Sequence, residues 1–136
     1  FGGRWNSPGQ PLIYGSLSYA CAMLEVLAHA NIGRLPQTHE YLIAQVNEKV
    51  SVERYEEKDL PLGWDSESCL SSRDFGDEWI KKKRSAVLVI PSVIARLEFN
   101  AVINPMHPHF SEILISPLKP VVWDKRLFNR SNLMKS

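Results

Sequence analysis

The sequence has little of several features that would place it in a particular class of protein. It contains two cysteines, which excludes a disulfide framework and favours a reducing compartment such as the cytoplasm. Its net charge is +1, so no overall field indicates nucleic acid as a partner. It lacks an apolar run of membrane-spanning length, a recognisable signal peptide, internal repeats and low-complexity segments. We therefore expect a single cytoplasmic domain with no membrane association.

Several catalytic motifs are also missing. No Cys/His cluster has zinc spacing, no glycine-rich loop carries a Walker-type lysine, and no serine lies in a nucleophile-elbow pattern. The one basic run, residues 81–84, is better explained as the C-terminal end of a helix, where cations complement the helix dipole, than as a nucleic-acid patch. Because no Cys/His cluster has zinc spacing, the sequence predicts no metal site.

What the chain does have is enough apolar residues, 44% of the total, to build a core. Periodicity predicts a helix over residues 17–30, and one helix or two short ones between residues 65 and 84 that begin near Ser71 or Ser72. Strands are predicted over residues 12–14, 39–46, 86–90, 99–103, 111–115 and 121–123. The run 86–90 is continuously apolar and β-branched, which is typical of a central strand. Residues 31–36 are predicted to be a link and residues 129–136 a loose tail.

One carboxylate stands out, because Glu25 is the only formally charged residue in the first helix, whose N-cap is predicted to be Ser16 or Ser18. A helix this apolar is mostly buried, so its carboxylate must be paired, hydrogen-bonded or facing a cleft. Three interpretations stay open on the helix pattern alone. Glu25 is an ordinary surface acid, a buried salt-bridge partner of Arg4, or a site residue.

Arg4 follows two glycines, whose flexible backbone lets a ligand come close. Its planar guanidinium suits a phosphate or a carboxylate. Ser92 follows the apolar strand 86–90 and Pro91, at a strand end where site residues are common. A plain cap or turn hydroxyl is the alternative explanation for that serine. Trp64 is expected to pack on the core rather than to line a cleft.

Five stretches, in this order, resemble the RES domain family, which is named for an arginine, a glutamate and a serine. They are residues 2–16, 22–29, 89–94, 98–100 together with 103–108, and 123–128. The resemblance covers about residues 2–128, with a looser middle. His109 stands where the family often has aspartate, and Ala101 where it often has tyrosine. These departures weaken any catalytic role for the Asn-Pro-Met-His-Pro turn, so His107 is expected to be structural.

The resemblance implies an α+β fold like that of the ADP-ribosyltransferases, with a split, mostly antiparallel sheet core and flanking helices. It implies a RES domain over residues 1–128, followed by a tail over residues 129–136. RES domains usually carry a further strand ahead of the loop at Gly2, so such a segment is expected to be missing here.

The resemblance also implies a bacterial toxin that cleaves NAD at the nicotinamide–ribose bond, by hydrolysis or phosphorolysis. On the matched positions, Arg4 would bind the NAD phosphate or ribose, and Tyr14 would stack near nicotinamide. Glu25 would stabilise the oxocarbenium-like ribose, and Ser92 would hydrogen-bond the ribose or amide side of the pocket. Ser111 is a weaker candidate for the family serine.

The implied partner is an antitoxin of the Xre helix-turn-helix type, with which an oligomer forms and through which alone DNA would be contacted. Two alternatives remain on the sequence. One is a mono-ADP-ribosyltransferase that modifies a specific protein. The other is a catalytically silent antitoxin-binding domain.

Overall fold

A computed structural model describes residues 2–30 and 38–128, which form an α+β fold, as expected. Its helices are α1 (Tyr19–Ala30) and α2 (Leu70–Lys82). Its strands are β1 (Ile13–Ser16), β2 (Glu40–Tyr41), β3 (Ala44–Gln45), β4 (Val52–Arg54), β5 (Val87–Pro91), β6 (Phe99–Ile103), β7 (Leu114–Ile115) and β8 (Lys119–Pro120). Short 3-10 turns cover Glu57–Asp59, Pro108–Glu112 and Lys125–Leu127. The predicted link 31–36 and tail 129–136 lie outside the described residues.

The main sheet has four strands in the order β1-β6-β5-β4. β6 runs antiparallel to both β1 and β5, whereas β4 and β5 are parallel. Every residue of β5 is buried, which confirms the central strand that its apolar run predicted. The prediction for β6 is also confirmed. The register sets Ser16 of β1 and Ile90 of β5 on either side of Asn100 in β6.

Two smaller pairings, β2 with β8 and β3 with β7, are both antiparallel. The single strand predicted over residues 39–46 is therefore two short strands. The strand predicted over 111–115 is confirmed only for its last two residues, because the 3-10 turn Pro108–Glu112 takes up the first two.

The prediction of a strand over residues 121–123 was wrong, because the structure has no strand there. The Val121 N–H donates to the His39 carbonyl at 3.0 Å, but the chain then leaves the pairing. Val122 is 83% exposed. β-Branched residues favour a strand only where a neighbouring strand receives them, and none of the described residues does so here.

The core lies on both faces of the main sheet, because successive strand side chains alternate between faces. On one face the α2 residues Trp79 and Ile80 pack with Leu88, Ile90 and Val102. The buried residues on the opposite face are Val50, Ala86, Val87, Val89, Ile103 and Ile113. Trp5 and Trp64 extend the first cluster, with ring centroids 6.2 Å apart. The expectation that Trp64 packs in the core is confirmed.

α2 begins one residue before the predicted start and ends in the basic run 81–84. Lys83 closes it in a left-handed conformation with φ 50°, and Lys82 pairs with Glu78 one turn earlier at 3.2 Å. The basic run therefore does serve as a helix C-terminus.

α2 is also the platform for the arginine-bearing N-terminal loop. The buried Ser72 hydroxyl donates to the Arg4 carbonyl at 2.7 Å, and Arg73 Nε donates to the Gly3 carbonyl at 2.8 Å. Gly76 lies between these anchors and the end of the helix, and a Cβ there would collide with the Trp5 backbone. The loop can lie this close to the helix only because residue 76 lacks a side chain.

We predict that Gly76→Ala destabilises the protein, although alanine is the better helix former by about 1 kcal/mol. The new Cβ must push the loop away from α2, and overpacking of this kind costs about 1–3 kcal/mol. Urea unfolding checks this, with the exposed Asp74→Ala on the same helix as the control. A Gly76→Ala protein as stable as the wild type would show that the loop is not seated on the helix.

Candidate active site

Glu25 is carried by α1, which begins after Ser18. The Cys21 N–H donates to the Ser18 hydroxyl at 3.1 Å, so Ser18 rather than Ser16 is the N-cap. The helix starts at the end of the main sheet at which β1 stops and β6 begins, since Ser18 also donates to Glu98 at 2.9 Å. This placement points the half-buried Glu25 toward the ends of β5 and β6.

The Glu25 carboxylate is held through one of its two oxygens. Oε2 accepts the Ser92 hydroxyl at 2.8 Å and the Asn100 amide N–H at 2.7 Å. Within the described residues, no hydrogen bond or ion pair involves Oε1. Of the three interpretations of Glu25, the salt bridge to Arg4 was therefore wrong. The carboxylate is instead solvated by two neutral donors, which leaves its second oxygen for another group.

Both donors are themselves fixed. The Ser92 side chain is fully buried, and its oxygen accepts the N–H groups of Ile94 and Ala95 at 3.2 and 3.0 Å. The turn-cap explanation of Ser92 is therefore confirmed, and the same hydroxyl also donates to Glu25. Asn100 accepts the Ser16 hydroxyl through Oδ1 at 2.6 Å.

Arg4 lies in the loop seated on α2, away from the Glu25 carboxylate. Its Nη1 donates to the carbonyls of Trp64 and Ser66 at 3.1 and 2.8 Å. These two bonds use one nitrogen of the guanidinium and fix its plane. The remaining donors of the guanidinium form no hydrogen bond within the described residues, so they can face an anion.

Tyr14 joins the arginine loop to the main sheet. Its hydroxyl donates to Asn6 Oδ1 and accepts the Trp5 N–H at 3.0 Å. Burial raises the pKa of this hydroxyl, and the Trp5 hydrogen bond opposes that rise only in part. Because the pKa of Tyr14 is higher in the folded protein than in the unfolded chain, the protonated hydroxyl stabilises the fold. This contribution is lost as the pH rises through the raised pKa. Tyr14 as a residue remains 46% exposed, and its side chain lies on the same sheet face as that of Ser16, two residues along β1.

Trp64 connects the two parts of the site. Its carbonyl accepts Arg4, and the Arg96 guanidinium lies 5.5 Å from its ring centroid. Arg96 belongs to the loop that begins at Ser92, and it donates to Asp65 at 2.8 Å. That bond holds the pKa of the partly exposed Asp65 carboxyl below its ordinary range. The loop after β5 is thus tied to the segment that positions Arg4.

The structure brings the predicted site residues together in two pairs. Glu25 and Ser92 are in direct contact, while Arg4 and Tyr14 meet through the intervening Trp5. No hydrogen bond or ion pair joins one pair to the other in the described ranges. Ser111 donates only to the Pro108 carbonyl of its own turn, at 3.4 Å, so Ser92 is the serine beside the glutamate.

His107 is held within its turn, as expected. Its Nδ1 accepts the His109 N–H and its Nε2 lies 3.0 Å from the Lys83 carbonyl. The histidine thereby fastens the turn after β6 to the end of α2.

Sequence reasoning assigned no role to Asn100 or Arg96, and it considered Ser16 only as a helix N-cap. Asparagine is depleted in strands, so an asparagine inside the apolar β6 is a usable signal for Asn100. Arg96 carries no such signal, because arginines in loops are common and its partners lie far away in the sequence.

Among the described residues, no group of three or more His, Cys, Asp or Glu side chains is placed to hold a metal ion. Within the same ranges, neither helix has the length and apolar character needed to cross a bilayer.

Comparison with known proteins gives consistent matches. The family model described as RES domain matches residues 1–124. The chain is 36% identical to "Prs ADP-ribosylating toxin" of a Sphingobium species, over 96% of this chain and 83% of that protein. It is 31% identical to "Toxin Res" of Yersinia enterocolitica, over 93% of this chain and 84% of that protein. It is 32% identical to "Toxin Res" of Pseudomonas putida, over 93% of this chain and 86% of that protein.

We predict that Tyr14→Phe destabilises the protein by about 1–3 kcal/mol, because it leaves the Trp5 N–H without its acceptor. Chemical denaturation measures the effect. Tyr19→Phe is the matched control, since Tyr19 is equally exposed at 47% and its hydroxyl forms no hydrogen bond to any described residue. Equal stability of the two variants would show that the Tyr14 hydroxyl does not hold the arginine loop.

Proposed function

Because the chain belongs to the RES domain family, we propose that it is a bacterial toxin that consumes NAD by cleaving the nicotinamide–ribose bond. The observation that carries the proposal is the Glu25 carboxylate. Ser92 and Asn100 hold it through Oε2, and its Oε1 forms no hydrogen bond to the described residues. Two of the relatives are named "Toxin Res" and the third is named "Prs ADP-ribosylating toxin". These names agree with a toxin and with this class of chemistry.

Cleavage of an N-glycosidic bond passes through an oxocarbenium-like centre on the ribose. The ribose C1–N bond breaks, nicotinamide leaves with the electron pair, and water or phosphate forms the new C1–O bond and releases a proton. A fixed carboxylate stabilises the positive charge as it develops, because its dipolar surroundings need no reorganisation. The proposed role of Glu25 is to be this carboxylate, and its two hydrogen bonds from Ser92 and Asn100 support the proposal.

The other pair supplies binding. Arg4, with its plane fixed by two carbonyls, presents its remaining donors to the pyrophosphate, which a guanidinium binds in a bidentate manner. The exposed Tyr14 ring offers a surface on which the nicotinamide stacks. Because Tyr14 and Ser16 share one sheet face, a dinucleotide lying along β1 would span from Arg4 to Glu25.

Transfer of ADP-ribose to a protein is the second candidate. The printed name of the Sphingobium relative favours it, and it uses the same bond cleavage with a protein side chain as nucleophile. Under either reaction we propose a cytoplasmic toxin that an Xre-type helix-turn-helix antitoxin binds and silences, with DNA contacted only through that antitoxin.

We predict that Glu25→Gln lowers NAD turnover by about 10²–10³-fold, the size of effect that losing one preorganised electrostatic group produces. The glutamine amide oxygen can still accept from Ser92 and Asn100, so the melting temperature should stay close to that of the wild type. NAD loss is followed over time, with and without phosphate, on full-length protein free of antitoxin.

Glu48→Gln is the control, because Glu48 is an exposed acid in a turn and its side chain bonds to none of the described residues. Free ADP-ribose as product identifies hydrolysis, a phosphate-dependent product identifies phosphorolysis, and label on a protein identifies transfer. Wild-type turnover by Glu25→Gln would contradict the assignment of the carboxylate.

We predict that Arg4→Ala weakens NAD binding by at least about 10-fold, the equivalent of one charge-assisted contact. Arg4→Lys should recover only part of the loss, since an ammonium lacks the planar fork. Calorimetric titration with NAD measures both, and Arg126→Ala is the control because the Arg126 side chain is 91% exposed. An unchanged affinity in Arg4→Ala would place the phosphates elsewhere.

A further inference from the structure

Asn100 interrupts β6 with a polar side chain whose orientation is fixed at both ends. Its Nδ2 lies 2.7 Å from Glu25 Oε2, and an ionised carboxylate can only accept. Its Oδ1 lies 2.6 Å from the Ser16 hydroxyl and 3.6 Å from the Cys21 thiol, both of which can donate. The amide can satisfy all three neighbours in one orientation only, with its N–H toward Glu25.

The same side chain connects the three elements that define this end of the fold. Ser16 ends β1, Cys21 lies on α1 one turn before Glu25, and Asn100 itself stands opposite Ile90 of the buried strand β5. Cys21 is 2% exposed, so this side of the amide is closed to water. The position of the Glu25 carboxylate is therefore set by a contact with the main sheet as well as by the helix that carries it.

We propose that Asn100 is a positioning residue for the Glu25 carboxylate. Together with Ser92 it occupies Oε2, and it thereby turns Oε1 toward the substrate. The inference rests on the proposed function for its catalytic consequence, but the contact itself can be tested without NAD.

The test compares Asn100→Asp with Asn100→Ala. Aspartate has the shape of asparagine and still accepts from Ser16 and Cys21, so it preserves packing. It removes the donor toward Glu25 and sets a second carboxylate against the first, and two such groups cannot both stay ionised at this distance. If Asn100 only filled space, aspartate would be the milder change.

The first readout is the melting temperature. At about pH 8 we expect Asn100→Asp to melt at least about 5 °C below the wild type, and to recover most of this loss near pH 5, where the two carboxylates share a proton. Among the described residues, the other titratable side chains hydrogen-bonded in this region are Glu98, which accepts from Ser18, and His29, whose Nδ1 lies 2.8 Å from the Glu25 carbonyl. Both side chains are present in every variant, so they do not distinguish one variant from another.

The double variant Glu25→Gln/Asn100→Asp isolates the pair. With no carboxylate at position 25, the pH-dependent recovery should disappear. A recovery that persists in the double variant, or an Asn100→Asp protein with no pH-dependent loss, would overturn the proposal.

The second readout is turnover. We expect kcat for NAD consumption to fall by about 10-fold in Asn100→Ala and by about 100-fold in Asn100→Asp at pH 8, with KM changed less than about 3-fold. Activity of Asn100→Asp equal to or above that of Asn100→Ala would overturn the positioning role. A wild-type protein that consumes no NAD would instead overturn the proposed function and the catalytic part of this inference, and the melting temperatures would still decide the contact.

Discussion

A carboxylate on an apolar helix imposes the main constraint on this fold. Glu25 is the only formally charged side chain of α1, and its charge must be solvated by groups that the protein provides. Ser92 and Asn100 do this from the ends of two neighbouring strands. Asn100 is a polar residue inside the largely apolar strand β6, and Ser92 is a fully buried polar residue directly after β5. One end of the sheet therefore carries polar side chains that hydrogen-bond the Glu25 carboxylate, where apolar side chains would otherwise pack.

The second half of the site is built differently. Arg4 depends on a loop that lies directly on α2, which the absence of a side chain at Gly76 permits. The two halves meet at Trp64, whose carbonyl fixes Arg4 and whose ring supports Arg96 from the loop after Ser92. The Arg4 guanidinium is thus held by backbone carbonyls and the Glu25 carboxylate by neutral donors, and no ion pair joins the two among the described residues. The arrangement suits the substrate proposed above, which carries a pyrophosphate at one end and develops a positive charge at the other.

Much of this could be predicted from the sequence. The apolar run at β5, the N-cap Ser18 and the lone Glu25 are local signals, and each was confirmed as a structural feature. The strand predicted over residues 121–123 failed because strand formation depends on a partner, and Val122 has no strand beside it in the described ranges. The pairing of Arg4 with Glu25 failed for a similar reason. Charge alone does not say which of several acceptors a guanidinium reaches.

The sequence by itself determined the helix that carries Glu25, the buried central strand and the residue types available for chemistry, because hydrophobic period and capping act over a few residues. Only the tertiary structure decided which of these residues meet. Ser92 and Asn100 reach Glu25 across 67 and 75 positions of the chain, and Arg4 reaches Trp64 across 60. Such contacts follow from strand register and from the seating of a loop on a helix, which no local pattern encodes.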